Sequence, residues 1–299
     1  MTLSFAGELA ALTAAFIWAI STMIYARTGG RMPAMLLNLI KGSVAVGFLV
    51  LTVLILGDAP PELETRHWLW LAGSGLVGIS IGDSAYFASI RRIGPAQTLL
   101  VESIAPPLTG LLAFFFLHES IGPWAWTGVF LTMGGILWVV TEHRPKERIH
   151  LPGLGFAALA ALCQAAGMVM SREVMINTPI TSLWAALVRL ASATLALWVF
   201  LPLVRPDILR REVWRGMGAA GTWALFAVAV FLGTFLGIWL QQTALKLTSA
   251  AIAQTLVSVS PLFALGLARL GGQKISRRSL TGSIAALAGI ALFFRQPGW

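Results

Sequence analysis

GISIGDSAYFASIRRIGPAQTLLVESIAPPLTGLLAFFFLHESIGPWAWTGVFLTMGGI, residues 78–136, returns later in the chain as GTFLGIWLQQTALKLTSAAIAQTLVSVSPLFALGLARLGGQKISRRSLTGSIAALAGI, residues 233–290. At a separation of 155 residues Gly78, Gly82, Ala96, Ser103 and Pro106 meet Gly233, Gly237, Ala251, Ser258 and Pro261. After a slip of one residue, Leu111, Ile121, Thr127, Gly128, Gly135 and Ile136 meet Leu265, Ile275, Thr281, Gly282, Gly289 and Ile290. Alanine and leucine matches come cheaply in an apolar chain, so the glycine pairs, the two Ser-x-x-Pro runs and the two Thr-Gly pairs carry the comparison. A weaker echo precedes it: Ala14, Ala15, Ala19, Pro33 and Leu37 match Ala160, Ala161, Ala165, Pro179 and Leu183, and Lys41 falls near Arg189. A repeat of this period is the first thing a fold assignment has to explain.

Composition limits what the repeat can be. Of 299 residues, 57% are apolar and 11% charged, with 12 Trp and a mean hydropathy of +0.82, outside the range of soluble domains. The chain therefore reads as a membrane protein. A net charge of +9 would suit nucleic acid, but the basic residues fall in short loops between apolar runs, where they act as topology signals. The first apolar run has no basic n-region and reads as a span rather than a leader. A lone cysteine, Cys163, excludes an intrachain disulfide.

At about 20 residues per crossing, spans fall near Leu9–Tyr25, Met35–Leu56, Trp68–Ile90, Gln97–Leu117 and Trp124–Thr141, then Leu154–Val174, Leu183–Val204, Gly216–Trp239, Ser249–Arg269 and Ser279–Phe294. The expected fold is an all-α membrane protein of ten helices in two five-helix repeats, residues 1–141 and 154–299, joined by a linker, residues 142–153. An odd number of crossings per repeat inverts the second repeat relative to the first, an arrangement common among secondary transporters. Fifteen Lys and Arg residues fall on the linker's side and four on the other, Arg66, Arg172, Lys246 and Arg295. The positive-inside rule then places the linker in the cytoplasm and both termini in the periplasm. Trp68, Trp70, Trp124, Trp126 and Trp214 sit at span ends and read as interfacial anchors.

Ionisable groups inside spans are the sharper functional signal, because a charge in hydrocarbon costs several kcal/mol unless paired or hydrated. Lys41, Asp83 and Glu102 each lie roughly 10–12 Å from the cytoplasmic ends of their helices at 1.5 Å per residue, so they could form one buried cluster. Asp83 or Glu102 then serves as a proton or substrate-amine site, with Lys41 tuning it or meeting a carboxylate. A structural ion pair, or a snorkelling lysine, is the alternative, and Arg189 faces the same choice. Glu119 reads as a brace for its turn, with Gln273 in its place in the second repeat.

The remaining candidates follow from spacing. Gly78-x3-Gly82 and Gly233-x3-Gly237 suit close helix packing. Pro106 and Pro261 break the fourth helix of each repeat and are candidate hinges. Trp18, Ser21 and Tyr25 share a face of the first helix with Gln164, Met168 and Ser171 as their mates; Asp83 and Tyr86 are set against Trp239, Gln241 and Gln242 in the third helices. Thr98, Glu102 and Thr109, with Gln254 and Ser258, are expected to point inward. The expected substrate site is thus Trp18, Tyr86, Gln164, Trp239, Gln241, Gln254 and Ser258, suited to an amphiphile with an apolar body. No nucleotide-binding, metal-binding or catalytic motif is present, so no cofactor, no metal and no enzymatic activity are expected. The expected partners are a small-molecule substrate and membrane lipid, with no nucleic acid, and the expected state is a monomer.

Trp18, Pro33 with Lys41, Pro179 with Arg189, Pro106, Pro261, Glu119, Gly128 and Gly282, set in ten spans, resemble the drug/metabolite transporter superfamily, and within it the EamA-type exporters. The resemblance covers nearly the whole chain and looks strongest to bacterial exporters of aromatic amino acids. It implies efflux of aromatic and other neutral amino acids, or related metabolites, across the inner membrane by alternating access. Gln273 departs from Glu119, which argues against a strictly two-fold role for that acid. A lipid or lipid-linked sugar translocator of the same fold and a non-transporting scaffold are the competing readings.

Overall fold

The computed structural model describes residues 5–28, 34–143, 150–204, 220–272 and 276–294. Among them every regular element is helical. The first half holds α1 (Ala6–Thr28), α2 (Ala34–Leu56), α3 (Thr65–Gly75), a π-helical turn at Leu76–Ile81, α4 (Gly82–Glu102), α5 (Ala105–Leu117) and α6 (Pro123–Val140). The second holds α7 (Leu151–Asn177), α8 (Ser182–Val204), α9 (Ala220–Ala229), a second π-helical turn at Val230–Leu236, α10 (Gly237–Leu247), α11 (Ala250–Val257), α12 (Ser260–Leu270) and α13 (Arg277–Phe293). Eight rods are long and apolar enough to cross a membrane, three of them running through a break or π turn as Gln97–Leu117, Trp223–Leu247 and Ala250–Leu270. Two further rods complete the array. Residues 65–93 carry Arg66, Asp83, Arg91 and Arg92, and α13 is 17 residues long and opens with two arginines.

Breaks in the rods recur at matching places. Chain direction changes within α4 at Gly94, whose φ of +75° suits a residue without a Cβ. The corresponding turn of the second half is Thr248–Ser249, where the Ser249 hydroxyl accepts from Ile252 N and caps α11. The fourth rods part at Ser103–Ile104 and at Ser258–Val259. The fourth rods are thus broken beside Pro106 and Pro261, as the sequence suggests, and each proline sits in the first turn of the half-helix that follows the break. A proline is tolerated there because that N–H has no intrahelical partner.

Small residues set how closely the rods approach. Ala11, Ala14, Ala15 and Ala19 on α1, and Ala157, Ala160, Ala161 and Ala165 on α7, are all buried to within 1%, so the first helix of each half is central. Between α6 and α13 the backbones themselves touch. A Cβ on Gly135 would lie 2.5 Å from Gly282 O, one on Gly282 2.8 Å from Gly135 O, and Gly128 and Gly289 answer each other in the same way. In a membrane, where apolar attraction between helices is weak, such contact is a main source of packing energy. Contacts also cross between halves: α2 packs on α8, α4 on α7, and α10 on α1.

One end of the bundle is tied across the halves by polar contacts. Arg172 Nε donates to Glu119 Oε1 at 2.6 Å, its Nη1 donates to Leu245 O, and Glu119 Oε2 accepts from Ala250 N at 3.1 Å. Glu119 thus caps a helix of the opposite half rather than bracing its own turn alone; Gln273 lies outside the described residues. Nearby in sequence order, Thr181 donates to Asp58 at 2.9 Å, and Lys246 Nζ donates to Ile180 O at 2.6 Å. Of the tryptophans read as anchors, Trp70 and Trp124 are exposed, Trp68 packs edge-on to Trp184, Trp126 stacks on Phe130, and Trp214 lies outside the described residues.

Candidate functional site

The two π turns face the middle of the bundle, and each lies against the first helix of the other half. A π turn widens the helix and loosens its regular hydrogen bonding, which frees backbone groups for other partners. In the second half, Trp18 Nε1 donates to Gly233 O at 2.5 Å and Tyr25 shares a hydrogen bond of 3.2 Å with Thr234. Gly237 lies so close to the indole of Trp18 that any side chain there would overlap it. In the first half, Gly78 lies against Gly167, and a Cβ at Gly78 would stand 2.9 Å from Arg189 Nη2. All four sequence-selected glycines therefore make close approaches, two against α7 and two against α1.

Two neighbouring chambers, which share lining residues, occupy the space between. The inner chamber, about 170 Å³, is lined by Asn38, Lys41, Gly78, Asp83, Arg189, Thr194 and Gln241, among others. The outer chamber, about 560 Å³, is lined by Tyr25, Tyr86, Leu99, Glu102, Met133, Ile136, Val140, Gln254, Val257, Ser258 and Pro261, among others. Trp18, Lys41, Gln164, Gly233 and Thr234 border both. The smaller part is charged, while the larger is mostly apolar with a few polar groups.

Electrostatically the buried ionisable groups form one set, as their spacing along the helices suggests. Asp83 accepts a hydrogen bond from Asn38 and feels the charges of Lys41 and Arg189. Glu102 feels Asp83, and Tyr86 lies within reach of both acids. Gln254 is 4% exposed, and its Oε1 has no partner among the described residues.

Six of the seven residues expected to bind substrate border these chambers: Trp18, Tyr86, Gln164, Gln241, Gln254 and Ser258. Trp239 does not; its ring packs 5.9 Å from Phe235 in an apolar cluster with α2 and α8. A helix face spans about half the surroundings of a rod, and the sequence does not say which part of that face meets the cavity. Thr98 and Thr109 are fully buried, as an inward face requires, but border neither chamber. Thr98 hydrogen-bonds Ser89 at 2.8 Å, Ser89 reaches Gly153 O of α7, and Thr109 bonds back to Ala105 O. Gln242 is spent on Ser171, at 2.6 Å. Spacing could have drawn in Asn38, one turn before Lys41, whereas Arg189 needed three-dimensional packing to show that it faces Asp83.

A family model for EamA-like transporters matches the chain twice, over residues 5–141 and 151–295. One solved crystal structure superposes with a TM-score of 0.79 at 19% identity, over 97% of both chains, a likeness of fold. Among curated proteins none matches the sequence.

Proposed function

The chain belongs to the EamA-like transporter family, and on that premise we propose that it exports amino acids, aromatic and other neutral ones first, across the inner membrane by alternating access. All ten helical rods cross the membrane in this reading, and the two five-helix repeats are inverted. The linker and the basic loops face the cytoplasm and both termini face the periplasm. The substrate occupies the neighbouring chambers, bordered by Trp18, Tyr86, Gln164, Gln241, Gln254 and Ser258, with Lys41, Asp83 and Glu102 as the buried charges that handle its ends or a coupling proton.

The observation that carries the reading is the pair of neighbouring chambers between the halves, one small and charged, the other wider and mostly apolar. A zwitterion leaving water must recover hydrogen bonds at its charged head, while an aromatic body gains at roughly 25 cal/mol per Å² buried. One molecule with both needs fits both chambers. The position of the cavity suits a carrier loaded from the cytoplasm. Tyr25, in the last turn of α1, and Val140, the last residue of α6, border the outer chamber, whereas the Glu119–Arg172 tie stands at the opposite end of α6.

Counterflow uptake in proteoliposomes tests the proposal. Vesicles loaded with unlabelled phenylalanine, tryptophan or threonine should accumulate the labelled amino acid faster than empty vesicles or vesicles without protein. Uptake that no member of the panel accelerates would exclude amino acids as the substrate.

A further inference from the structure

Arg189 is 1% exposed and is the largest fully enclosed side chain among the described residues. A guanidinium keeps its proton in proteins, and enclosing it without partners carries a large desolvation cost. Its partners here are poor. Nη1 reaches the Met168 sulfur at 4.0 Å, and Nε has no partner among the described residues. Among the described residues the direct ion pair is Arg172–Glu119; Asp83 acts on Arg189 only as a charge in the same chamber. That carboxylate is also shared with Lys41 and Asn38.

The inner chamber therefore holds two basic groups and one acid. Lys41 also borders the outer chamber, where Glu102 lies, so the group left short of a counter-charge is Arg189, whose one acid in the inner chamber among the described residues is the shared Asp83. Glu102 borders the outer chamber only. Gly78 adds a steric observation: its missing Cβ makes room for Nη2, since a Cβ there would stand 2.9 Å from it. An enclosed, under-partnered guanidinium bordering a chamber is suited to a planar anion that it can grip with two parallel N–H donors.

We propose that Arg189, assisted by Lys41, receives the carboxylate of the transported molecule in the inner chamber, while the apolar body lies in the outer chamber. Chamber size supports this orientation. About 170 Å³ is below the usual range for a whole ligand, and about 560 Å³ is within it. Gln164 and Thr234 border both parts and stand where the atoms joining head to body would pass. The proposal rests on the export reading for its use of the cavity but not on the substrate being an amino acid.

A ligand series on the unaltered protein tests it first, read as competition for counterflow and as quenching of tryptophan fluorescence in detergent. The probes are tryptophan, its amide, tryptamine and indole-3-propionate, with aliphatic acids and their amides beside them. Acids should bind at least about tenfold more tightly than the matching amides or the amine, as expected for a charge-assisted pair. Arg189→Gln should collapse that ratio towards one while sparing tryptamine, and Arg189→Lys should restore part of it. If Arg189→Gln does not fold, Lys41→Met provides the second variant, with a smaller fall in the same ratio. Indole-3-propionate binding without tryptophan would remove amino acids as substrates and keep the anion site. No acid in the series outbinding its matching amide would overturn the proposal, as would an unchanged ratio in Arg189→Gln.

Discussion

The π turns at Leu76–Ile81 and Val230–Leu236 hold equivalent places in the two halves, yet they meet opposite chemistry. The first faces Arg189, with Asp83 and Lys41 in the same chamber. The second faces the indole of Trp18 and the phenol of Tyr25. Along the sequence the same divergence is plain: Asp83 corresponds to Ile238, Glu102 to Val257 and Trp18 to Gln164. Duplication supplied a symmetric frame, and substitution on that frame made one wall charged and the other aromatic. A cavity between such walls can tell the two ends of a molecule apart.

The comparison breaks most sharply if the charged wall is rewritten as its mate. Asp83→Ile leaves Lys41 and Arg189 without their shared anion and should cost about 2–3 kcal/mol, below the figure for a sealed pair because the chamber is open. Thermal unfolding in detergent, compared with a conservative change at Ile238, measures it; equal stability would mean that the charges do not hold the wall together. The glycines of the two turns should differ next. Gly237→Ala forces its methyl into a rigid indole and should cost about 2 kcal/mol or more, whereas Gly78→Ala meets the end of a flexible arginine and should cost under about 1 kcal/mol. A reversed order of melting temperatures would show that the arginine is the more rigid guest.

Smaller effects sharpen the picture at the tied end and at the breaks. Glu119→Gln places in the first half the residue that the second carries at Gln273, and it should cost about 1–2 kcal/mol, since the pair with Arg172 is 13–15% exposed. If the tie holds the outer side shut, this variant should also speed the exchange of labelled substrate; an unchanged exchange rate would assign the pair to stability alone. Pro106→Ala and Pro261→Ala should each lose only about 0.5–1 kcal/mol, because a first-turn proline acts mainly by stiffening the unfolded chain. Should the breaks be hinges, initial transport rates will change more than half-saturation concentrations; proportional losses of folded protein and transport would make them static joints.

Much of this was legible before any coordinates. Gly78, Gly82, Gly233 and Gly237 stand out because the same glycine pair recurs at a separation of 155 residues, and all four prove to be contact points. Lys41, Asp83 and Glu102 stand out because charge is expensive in an apolar segment, and Asp83 lies within electrostatic reach of each of the other two. Helical phase alone puts Trp239 in the cavity and turns Thr98 and Thr109 inward; both threonines are fully buried, but none of the three borders a chamber. Phase separates the faces of one rod but not the neighbours each face meets, so Trp239 went to an apolar cluster and Thr98 to a contact with the α7 side.

The sequence by itself determined the duplication, the all-helical membrane class and the rods, because these follow from period, hydropathy and length along one chain. Tertiary structure alone decided that Arg189 would share a chamber with Asp83 and that Trp18 would bond to Gly233. It also decided that Glu119 would cap a helix in the opposite half. Each of those contacts joins residues more than a hundred positions apart, and packing across the halves, which no local pattern encodes, brings them within reach.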